Sequence, residues 1–255
     1  MTLDKIKIKH AFSHASKTYD GVAQLQRNIG QNLLESFLPK NLTGNVLDLG
    51  CGTGFLTQAL LPYCENLIAL DLALPMLKIT YEKLHRSVNY VCADAESLPF
   101  SNESMNAIFS NVALQWCQPI DKALNELHRV LKSDGELIFS TFGSETLHEL
   151  KTAWKKVDDF SHVNDFYDVA ELQSALKKAG FSNINIQNQS YFSHYDSVLD
   201  LMRELKFIGA HNVNLQRNRN VTTKKSLQTM INNYPHNEFG EISSTFDVIC
   251  IVARH

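Results

Sequence analysis

A glycine-rich turn bordered by acids is the feature of this sequence most able to do chemistry. Residues 46–54 are Val-Leu-Asp-Leu-Gly-Cys-Gly-Thr-Gly, an apolar strand followed by a turn that opens a helical pattern. Glycine lets a backbone adopt positive φ and approach a bound molecule closely. The spacing G-x-G-x-G differs from the G-x-G-x-x-G of nicotinamide enzymes. We expect Gly50, Cys51, Gly52 and Gly54 to lie against a ligand.

Three aspartates stand at the ends of three successive apolar segments. Asp48 lies beneath the glycine turn, where a carboxylate would repel a pyrophosphate and attract the ammonium group of a methionine moiety. Asp71 ends the next segment, 21 residues after Gly50, where an acid can accept hydrogen bonds from two ribose hydroxyls. Asp94 follows the third segment and could accept from an adenine amino group, while small Ala95 leaves room for the ring. Any one acid could simply cap a strand end, but the four features in register favour a ligand.

Composition limits the class of protein. The chain has 255 residues, with 44% hydrophobic and 20% charged side chains, enough for a core in one large domain or two small ones. These values exclude a disordered tail, a coiled coil and a collagen-like fibre, and the net charge of -3 argues against a nucleic-acid coat protein. Five scattered cysteines without a C-x-x-C pair predict neither a disulfide framework nor a metal site. We expect a reduced, soluble, cytoplasmic protein, because no signal peptide is visible and the apolar stretch 67–77 is too short to span a bilayer.

Short apolar segments alternate with helical patterns from residue 45, which predicts βαβ units and a parallel sheet. The predicted strands are 45–49, 66–71, 88–93, 107–110, 136–142, 184–191 and 246–253. The predicted helices are 23–37, 55–61, 75–85, 121–131, 145–157, 169–179, 197–208 and 224–232. Asp121 is expected to cap the fourth of these helices, and the Ser-Asp-Gly of residues 133–135 to end it before the next strand.

Over residues 46–142 the order of these motifs resembles the class I S-adenosylmethionine-dependent methyltransferases. The resemblance implies an α/β, Rossmann-like fold with a seven-stranded, mostly parallel sheet whose last strand is reversed. It also implies S-adenosylmethionine as cofactor and S-adenosylhomocysteine as product. Beyond the residues already named, the expected cofactor contacts are Leu72, Met76, Asn111 and Leu114, although Met76 could equally be a core residue of its helix.

On this fold we expect a single domain in four parts. Residues 1–40 would form a helical N-terminal lid, and residues 44–193 the cofactor-binding core. Residues 194–236 would form a helical insertion that serves as a substrate lid, and residues 237–255 a last strand returning to the core. Both helical segments could cover the C-terminal strand ends, where open α/β sheets bind ligands.

Segments outside the cofactor core are similar to the malonyl-acyl-carrier-protein O-methyltransferases of biotin synthesis, over nearly the whole chain. They are 11–12 with 19–20, 23–26, 110–116, 140–143, 162–166 and 202–212, and the R-E-L-K-F-I-G-A-H-N stretch from Arg203 is the most discriminating. The resemblance implies methylation of the free carboxylate of a malonyl thioester on acyl carrier protein, or on coenzyme A. A carboxylate of pKa about 4 is an anion at neutral pH, so this reaction needs alignment and water exclusion rather than a general base.

Two residues are candidates to hold the malonyl carboxylate. Arg203 could grip it through two parallel hydrogen bonds, or could lie on a solvated helix face and pair with Asp200 or Glu204. Tyr19 could donate a hydrogen bond at the same place, or could simply pack the N-terminal helix.

Four more residues are expected near the transfer site. Gln115 and Trp116 follow the fourth strand and could wall the site, although core packing would also explain Trp116. His162 and His211 could orient the thioester, but a lone histidine is more often a structural hydrogen-bond partner, and we expect neither to act as a base.

The distribution of charge indicates a partner. Residues 203–225 carry a net charge of +5, which leaves -8 on the rest of the chain. Carrier proteins are acidic around the serine that bears phosphopantetheine, so a basic segment beside the site would suit docking of a malonyl-bearing carrier. An ordinary solvated loop is the alternative. We expect no nucleic-acid or membrane partner.

Three other functions stay open at this point. The cofactor motifs would serve equally in a methyltransferase of a small metabolite such as a quinone precursor. They would also serve in a non-catalytic S-adenosylmethionine-binding protein that uses residues 194–236 as an interaction arm. A nicotinamide dehydrogenase is the third, and Asp48 weighs against it.

Overall fold

A computed structural model describes residues 3–38, 42–210 and 222–255 of the chain. In these ranges the strands are β1 Leu42–Leu49, β2 Cys64–Asp71, β3 Asn89–Cys92, β4 Met105–Asn111, β5 Leu131–Phe142, β6 Ser182–Tyr195 and β7 Ile242–Arg254. The α-helices are α1 Lys5–Val22, α2 Gln24–Phe37, α3 Phe55–Leu60, α4 Leu74–Leu84, α5 Ile120–Val130, α6 His148–Trp154, α7 Val169–Lys178, α8 Val198–Phe207 and α9 Lys224–Asn233. Short 3-10 turns occupy Leu61–Tyr63, His85–Ser87 and Leu114–Trp116.

The strands form one sheet in the order β3-β2-β1-β4-β5-β7-β6. The first five run parallel to one another, and β7 runs antiparallel to both β5 and β6. The predicted α/β fold with a reversed last strand is therefore confirmed. Since the chain order reverses between β1 and β4, this arrangement opens a crevice at the carboxyl ends of these two strands.

Helices cover both faces of the sheet, because alternate side chains of the central strands point in opposite directions. Leu47 and Ile108 belong to a core cluster that includes α5 and α7. Val46 and Phe109 belong to a second cluster with α2, α3 and α4. All four of these side chains are fully buried. The central strands are thus held rigidly between two layers, and their ends make a fixed platform.

Two details of the predicted elements are wrong. Pro119 precedes α5 as its cap residue and no side chain caps this end, so Asp121 lies inside the first turn. The helix ends at Val130, and the Ser-Asp-Gly of residues 133–135 belongs to β5. Pairing between β4 and β5 is irregular at this point: from the pair Met105 and Leu131 to the pair Ala107 and Glu136, β5 advances by three more residues than β4 does.

The first helix closes over the carboxyl ends of the strands and meets α8 there. The hydroxyl of Thr18 on α1 donates to the carbonyl oxygen of Phe207 at the end of α8, at 2.8 Å. Gly209 follows at φ +78, and a Cβ added there would lie 3.2 Å from the carbonyl oxygen of Ala11. Helices from distant parts of the sequence therefore pack together at the crevice. The boundaries of the two lids stay predictions.

Membrane-spanning helices and clusters of metal-binding side chains are both absent from the described residues. None of their helices is both long enough and apolar enough to cross a membrane. No group of three or more histidine, cysteine, aspartate or glutamate side chains among them could hold a metal ion.

Candidate active site

The glycine turn between β1 and α3 is tied to the neighbouring strand. The amides of Gly50 and Cys51 both donate to the carbonyl oxygen of Leu70, at 2.8 and 2.9 Å. Gly50 has φ +72, and a Cβ added to it would lie 2.4 Å from the Cβ of Ala113. Any side chain larger than hydrogen at this position therefore requires both strained backbone and displacement of the next loop.

Asp71 connects the end of β2 to the same turn. Its carboxylate accepts from the amide of Gly52 at 2.9 Å and from the amide of Ala73 at 2.7 Å. Burial raises the pKa of Asp71, although these two amides hold it down. An ionised carboxyl has more lone pairs than two amides use, so Asp71 keeps capacity for ligand hydroxyls.

Asp48 is a buried acid with one oxygen uncommitted. Its Oδ2 accepts from the hydroxyl of Thr57 at 2.5 Å. Its Oδ1 is buried and has no hydrogen-bond partner in the described part of the chain. Burial raises the pKa of this carboxyl to about 7. An orphaned buried acceptor of this kind fits a cationic donor such as the ammonium group of S-adenosylmethionine.

The third acid meets a lysine that sequence reasoning missed. Lys5 on α1 places its ammonium 2.5 Å from Asp94 and 2.8 Å from Glu96. The same oxygen of Asp94 also accepts from the amide of Glu96 at 2.9 Å. The second carboxylate oxygen of Asp94 is thus the one open to an adenine amino group. Lys5 fastens the first turn of α1 at that end of the site.

Most of the predicted cofactor residues line one cleft of about 810 Å³, which is named the cofactor cleft below. The predicted residues that line it are Gly50, Gly52, Asp71, Leu72, Met76, Asp94, Ala95, Asn111 and Leu114. Met76 is also a core residue of α4, so it both lines the cleft and packs in the core.

A second cavity, the loop cavity, has about 420 Å³ and lies behind the glycine turn. Asp48 and Cys51 line it, together with Gly50 and Gly52, which also line the cofactor cleft. Gly54 lines neither space. It has φ +88 and caps the start of α3. A Cβ added there would lie 2.6 Å from the Thr80 side chain, so packing requires glycine at this position.

A third space of about 540 Å³, the apolar cavity, lies on the other side of Trp116. Trp116 lines both this cavity and the cofactor cleft, and its ring meets Phe12 of α1 edge to face at 5.2 Å. The lining residues are Gln26, Trp116, Phe142, Thr146, Leu147, Leu150, His162, Val163, Asn164, Phe166, Leu205, Ile208, Ala210 and Phe246. None of these described residues is a lysine, arginine, aspartate or glutamate.

Three of the expected substrate residues are brought to these cavities. Tyr19 lines both the cofactor cleft and the loop cavity. Burial, reinforced by the negative charge of Asp71, raises the pKa of Tyr19, so its hydroxyl stays protonated. Trp116 lines both the cofactor cleft and the apolar cavity, and His162 lines the apolar cavity. The His162 ring stacks on Trp154 at 3.7 Å and its Nε2 lies 2.8 Å from Asp158, so it is held in place.

Three expected residues are not brought there. Gln115 donates to the carbonyl oxygen of Val112 at 2.6 Å and lines none of the three cavities, because its amide is used to hold the turn after β4. Arg203 is exposed and pairs with Asp200, which is the helix-face alternative. His211 lies outside the described residues.

Several residues of the site were given no role by the sequence. Phe12, Lys5 and Gln26 come from the N-terminal helices, and although residues 11–12 and 23–26 lie in segments similar to the family, their spacing does not show that they line the site. Asp20, at the end of α1, accepts from the hydroxyl of Thr53 at 2.5 Å and from Lys83 at 2.7 Å. This network anchors α1 to the glycine turn and was not visible in local spacing.

Comparison with known proteins agrees with this geometry. The family model described as "Methyltransferase domain" matches residues 47–139. The YcgJ protein from Bacillus subtilis, a solved structure, superposes with a TM-score of 0.64 at 21% sequence identity, covering 88% of this chain and 97% of that protein. At that level of identity the match establishes the fold alone.

Two curated relatives are more similar in sequence. "Biotin biosynthesis bifunctional protein BioHC" from Cellvibrio japonicus is 42% identical over 70% of this chain, and the match spans 36% of that longer protein. "Malonyl-[acyl-carrier protein] O-methyltransferase" from Methylococcus capsulatus is 40% identical over 91% of this chain and 86% of that protein. With its S-adenosylmethionine cleft, this chain is a methyltransferase that belongs to the malonyl-[acyl-carrier protein] O-methyltransferase family.

Proposed function

We propose that this chain transfers a methyl group from S-adenosylmethionine to the free carboxylate of a malonyl thioester carried by acyl carrier protein. The names of relatives that the chain matches over most of their length support the substrate, and the resemblance to biotin-synthesis enzymes supports the pathway. The observation that carries the proposal is the junction at Trp116, where a cleft suited to the cofactor meets an apolar cavity suited to an acyl group.

The cofactor cleft has the polar groups that the cofactor requires. When bound, S-adenosylmethionine supplies a methyl group on a positively charged sulfur. Asp48, which lines the adjoining loop cavity, would hold the ammonium group of its methionine portion through the orphaned Oδ1, and Asp71 would accept from the ribose hydroxyls. Asp94 and Ala95 would hold the adenine. The residues of the cofactor cleft and of the loop cavity together therefore fit the cofactor.

The apolar cavity has the chemistry that a carboxylate nucleophile requires. A malonyl carboxylate is already ionised, so no residue has to remove a proton. Phe142, Phe166 and Phe246 line the cavity, and their apolar rings would disfavour water there. An anion that is poorly solvated is a stronger nucleophile, and its alignment beside the methyl group supplies the rest of the rate acceleration.

The carrier protein would dock at the basic residues that border α8 and α9. Lys206, Lys224 and Lys225 are exposed, so they are free to meet an acidic surface. Arg217 and Arg219 belong to the same basic segment and lie outside the described residues. Attraction between opposite charges would raise the rate of encounter and would weaken as salt is added.

Labelled cofactor tests the proposal directly. Incubation of the full chain with methyl-labelled S-adenosylmethionine and malonyl-carrier or malonyl-CoA should give a labelled methyl ester, and acetyl-carrier should give none. No ester from either malonyl thioester would overturn the proposal. Label transferred to a quinone precursor would then identify a small-metabolite methyltransferase, and cofactor binding without turnover on any acyl substrate would identify a binding protein.

A further inference from the structure

Gln26 lies where the loop cavity meets the apolar cavity. It stands in the first turn of α2, it is 8% exposed, and it lines both spaces. The side-chain amide of Asn111 donates to the backbone carbonyl oxygen of Gln26 at 2.8 Å, which fixes the backbone at this point. The Gln26 side chain therefore projects from a rigid position between the cofactor side of the site and the acyl side.

The side-chain oxygen of Gln26 is not used by the fold. Its Oε1 is buried and has no hydrogen-bond partner among the residues that the structure describes. Buried polar atoms are nearly always paired in folded proteins, and those left unpaired often point to a ligand. A primary amide carries an acceptor and two donors on one carbon, and half a turn about its last torsion exchanges their places.

Two other polar groups of the apolar cavity, on Thr146 and His162, are committed to the fold. The Thr146 hydroxyl donates to the carbonyl oxygen of Asp247 at 3.0 Å, and the His162 ring is held by Asp158. Arg203 pairs with Asp200 at the surface. Of the amide, hydroxyl and imidazole side chains that line the apolar cavity, Gln26 is the one that also lines the loop cavity beside Asp48, so its amide is well placed to donate a hydrogen bond to an anion near the cofactor.

We propose that Gln26 donates a hydrogen bond from its side-chain amide to the carboxylate that receives the methyl group. This inference rests on the proposed function and names the residue that orients its nucleophile. One carboxylate oxygen is held by the amide, and the other uses a lone pair to form the new O–CH3 bond. The S–CH3 bond breaks with its electron pair going to sulfur, so anion and sulfonium become a neutral ester and a neutral thioether, and no proton moves.

A neutral amide suits this reaction better than a cation does. The carboxylate loses its charge as the O–CH3 bond forms, so a guanidinium would bind the substrate more strongly than the transition state and would raise the barrier. A hydrogen bond from an amide fixes the direction of the carboxylate with a smaller loss of attraction along the reaction. Catalysis is therefore compatible with the amide of Gln26 in the cavity and with Arg203 outside it.

Binding measurements on variants of Gln26 test the inference without relying on turnover. The two tryptophans of the chain, Trp116 and Trp154, both lie beside the apolar cavity, so their fluorescence reports its occupancy. Malonyl-CoA and acetyl-CoA would be titrated into the S-adenosylhomocysteine complexes of the wild type, Gln26→Leu and Gln26→Glu. Gln31→Leu is the matched control, because Gln31 is an exposed glutamine of the same helix.

Wild type should bind malonyl-CoA more tightly than acetyl-CoA. Gln26→Leu should weaken malonyl-CoA by about tenfold to a hundredfold and leave acetyl-CoA unchanged, since a hydrogen bond to a charged group is lost. Gln26→Glu should weaken it further through like charge, and Gln31→Leu should change neither ligand. Affinity for S-adenosylhomocysteine should stay within about twofold throughout.

Three results would overturn the inference. The first is equal affinity of the wild type for the two thioesters, and the second is malonyl-CoA binding that Gln26→Leu leaves unchanged. The third is a parallel loss of S-adenosylhomocysteine affinity in both Gln26 variants, because this would make Gln26 a cofactor contact. Absence of methyl ester from the wild type would instead refute the proposed function. A malonyl preference that disappears in Gln26→Leu would even then uphold the carboxylate contact.

Discussion

Replacing Asp48 with asparagine should stabilise the ligand-free protein while weakening its hold on the cofactor. Asp48 is 1% exposed, and burial raises its pKa from 3.8 to about 7. In the unfolded chain the same carboxyl ionises at its ordinary pKa. Between these two values the folded state binds the proton and the unfolded state does not, so stability falls as the pH rises from about 4 to about 7.

The size of this loss follows from the two pKa values. A rise from 3.8 to about 7 corresponds to about 4 kcal/mol of lost stability at pH 8, and to about 2 kcal/mol at pH 5, where the folded carboxyl is still protonated. Asparagine carries no charge and keeps a carbonyl oxygen for the Thr57 hydroxyl. Asp48→Asn should therefore be more stable than wild type by up to these amounts, with a gain about 2 kcal/mol larger at pH 8 than at pH 5.

Urea unfolding of the ligand-free proteins at pH 5 and pH 8 measures the gain. Asp134→Asn is the control, because Asp134 is an exposed acid of β5 and its replacement should change stability by less than about 0.5 kcal/mol at either pH. An Asp48→Asn protein that is less stable than wild type at pH 8, or a gain that is equal at the two pH values, would refute the reasoning.

Cofactor affinity should change in the opposite direction. An ammonium group attracts the ionised form of Asp48, so binding lowers the pKa of this carboxyl from its free value of about 7. Wild-type affinity for S-adenosylhomocysteine should therefore tighten about tenfold from pH 6 to pH 8. Calorimetric titration should show this change in the wild type, and weaker, pH-independent binding in Asp48→Asn. Pronounced tightening that persists in the variant would assign it to another group.

Three further predictions follow from the site. Gly50→Ala should lower the Tm and abolish S-adenosylhomocysteine binding in a titration, since this residue has φ +72 and an added Cβ would lie 2.4 Å from a methyl carbon of the next loop. Lys5→Met should speed release of S-adenosylhomocysteine in stopped flow by about twofold to fivefold, because two partly exposed ion pairs that fasten α1 are lost. Lys224→Glu with Lys225→Glu should raise KM for malonyl-carrier roughly fivefold at low salt and leave KM for malonyl-CoA unchanged, because both lysines are exposed.

Matched changes separate these effects from general damage. Lys7→Met removes an exposed lysine of α1 and should leave cofactor release unchanged. Lys177→Glu reverses a charge on α7, an exposed position that lies in another element, and should leave KM for malonyl-carrier unchanged. Cofactor release as slow in Lys5→Met as in wild type would show that α1 is not held by its ion pairs. A KM for malonyl-carrier that changes neither with salt nor with the charge reversal at Lys224 and Lys225 would contradict docking at α9.

The fold was predictable because its elements are specified locally. Each strand of the parallel half is a short apolar segment bounded by turn residues, and each observed strand overlaps its predicted range. The errors arose where two local signals competed. Asp121 resembles a helix cap, but the preceding residue, Ile120, is 1% exposed. Because Ile120 is buried as the first residue of α5, the helix begins one residue earlier, with Pro119 as its cap residue. The strand β5 likewise passes through Gly135, because Leu131 at its start is fully buried.

The cofactor side of the site was predictable for a related reason. Parallel strands bring their carboxyl ends to one edge, so acids that follow successive strands converge whatever the loops do. The acyl side lacks such a rule. Gln26 comes from α2, Trp116 from the turn after β4 and Phe246 from β7, and no local pattern shows that these three line one cavity. Arg203 illustrates the difference, because its helical position is compatible with the site in sequence but places its charge at the surface.

The two sides of the site differ in charge because they have opposite tasks. The cofactor must be held before, during and after transfer, so charged groups such as Asp48 and Asp94 stabilise every state of the reaction about equally. The nucleophile and the sulfonium lose their charges together as the bond forms, and a polar, charged cavity would stabilise the separated charges more than the neutral products. An apolar cavity whose described lining contains no charged side chain removes that disadvantage and leaves the mutual attraction of the two ions at close to full strength. On this argument, adding a cation such as Leu205→Lys to the cavity wall should tighten malonyl-CoA binding and lower kcat, and an increase of both affinity and kcat would contradict it.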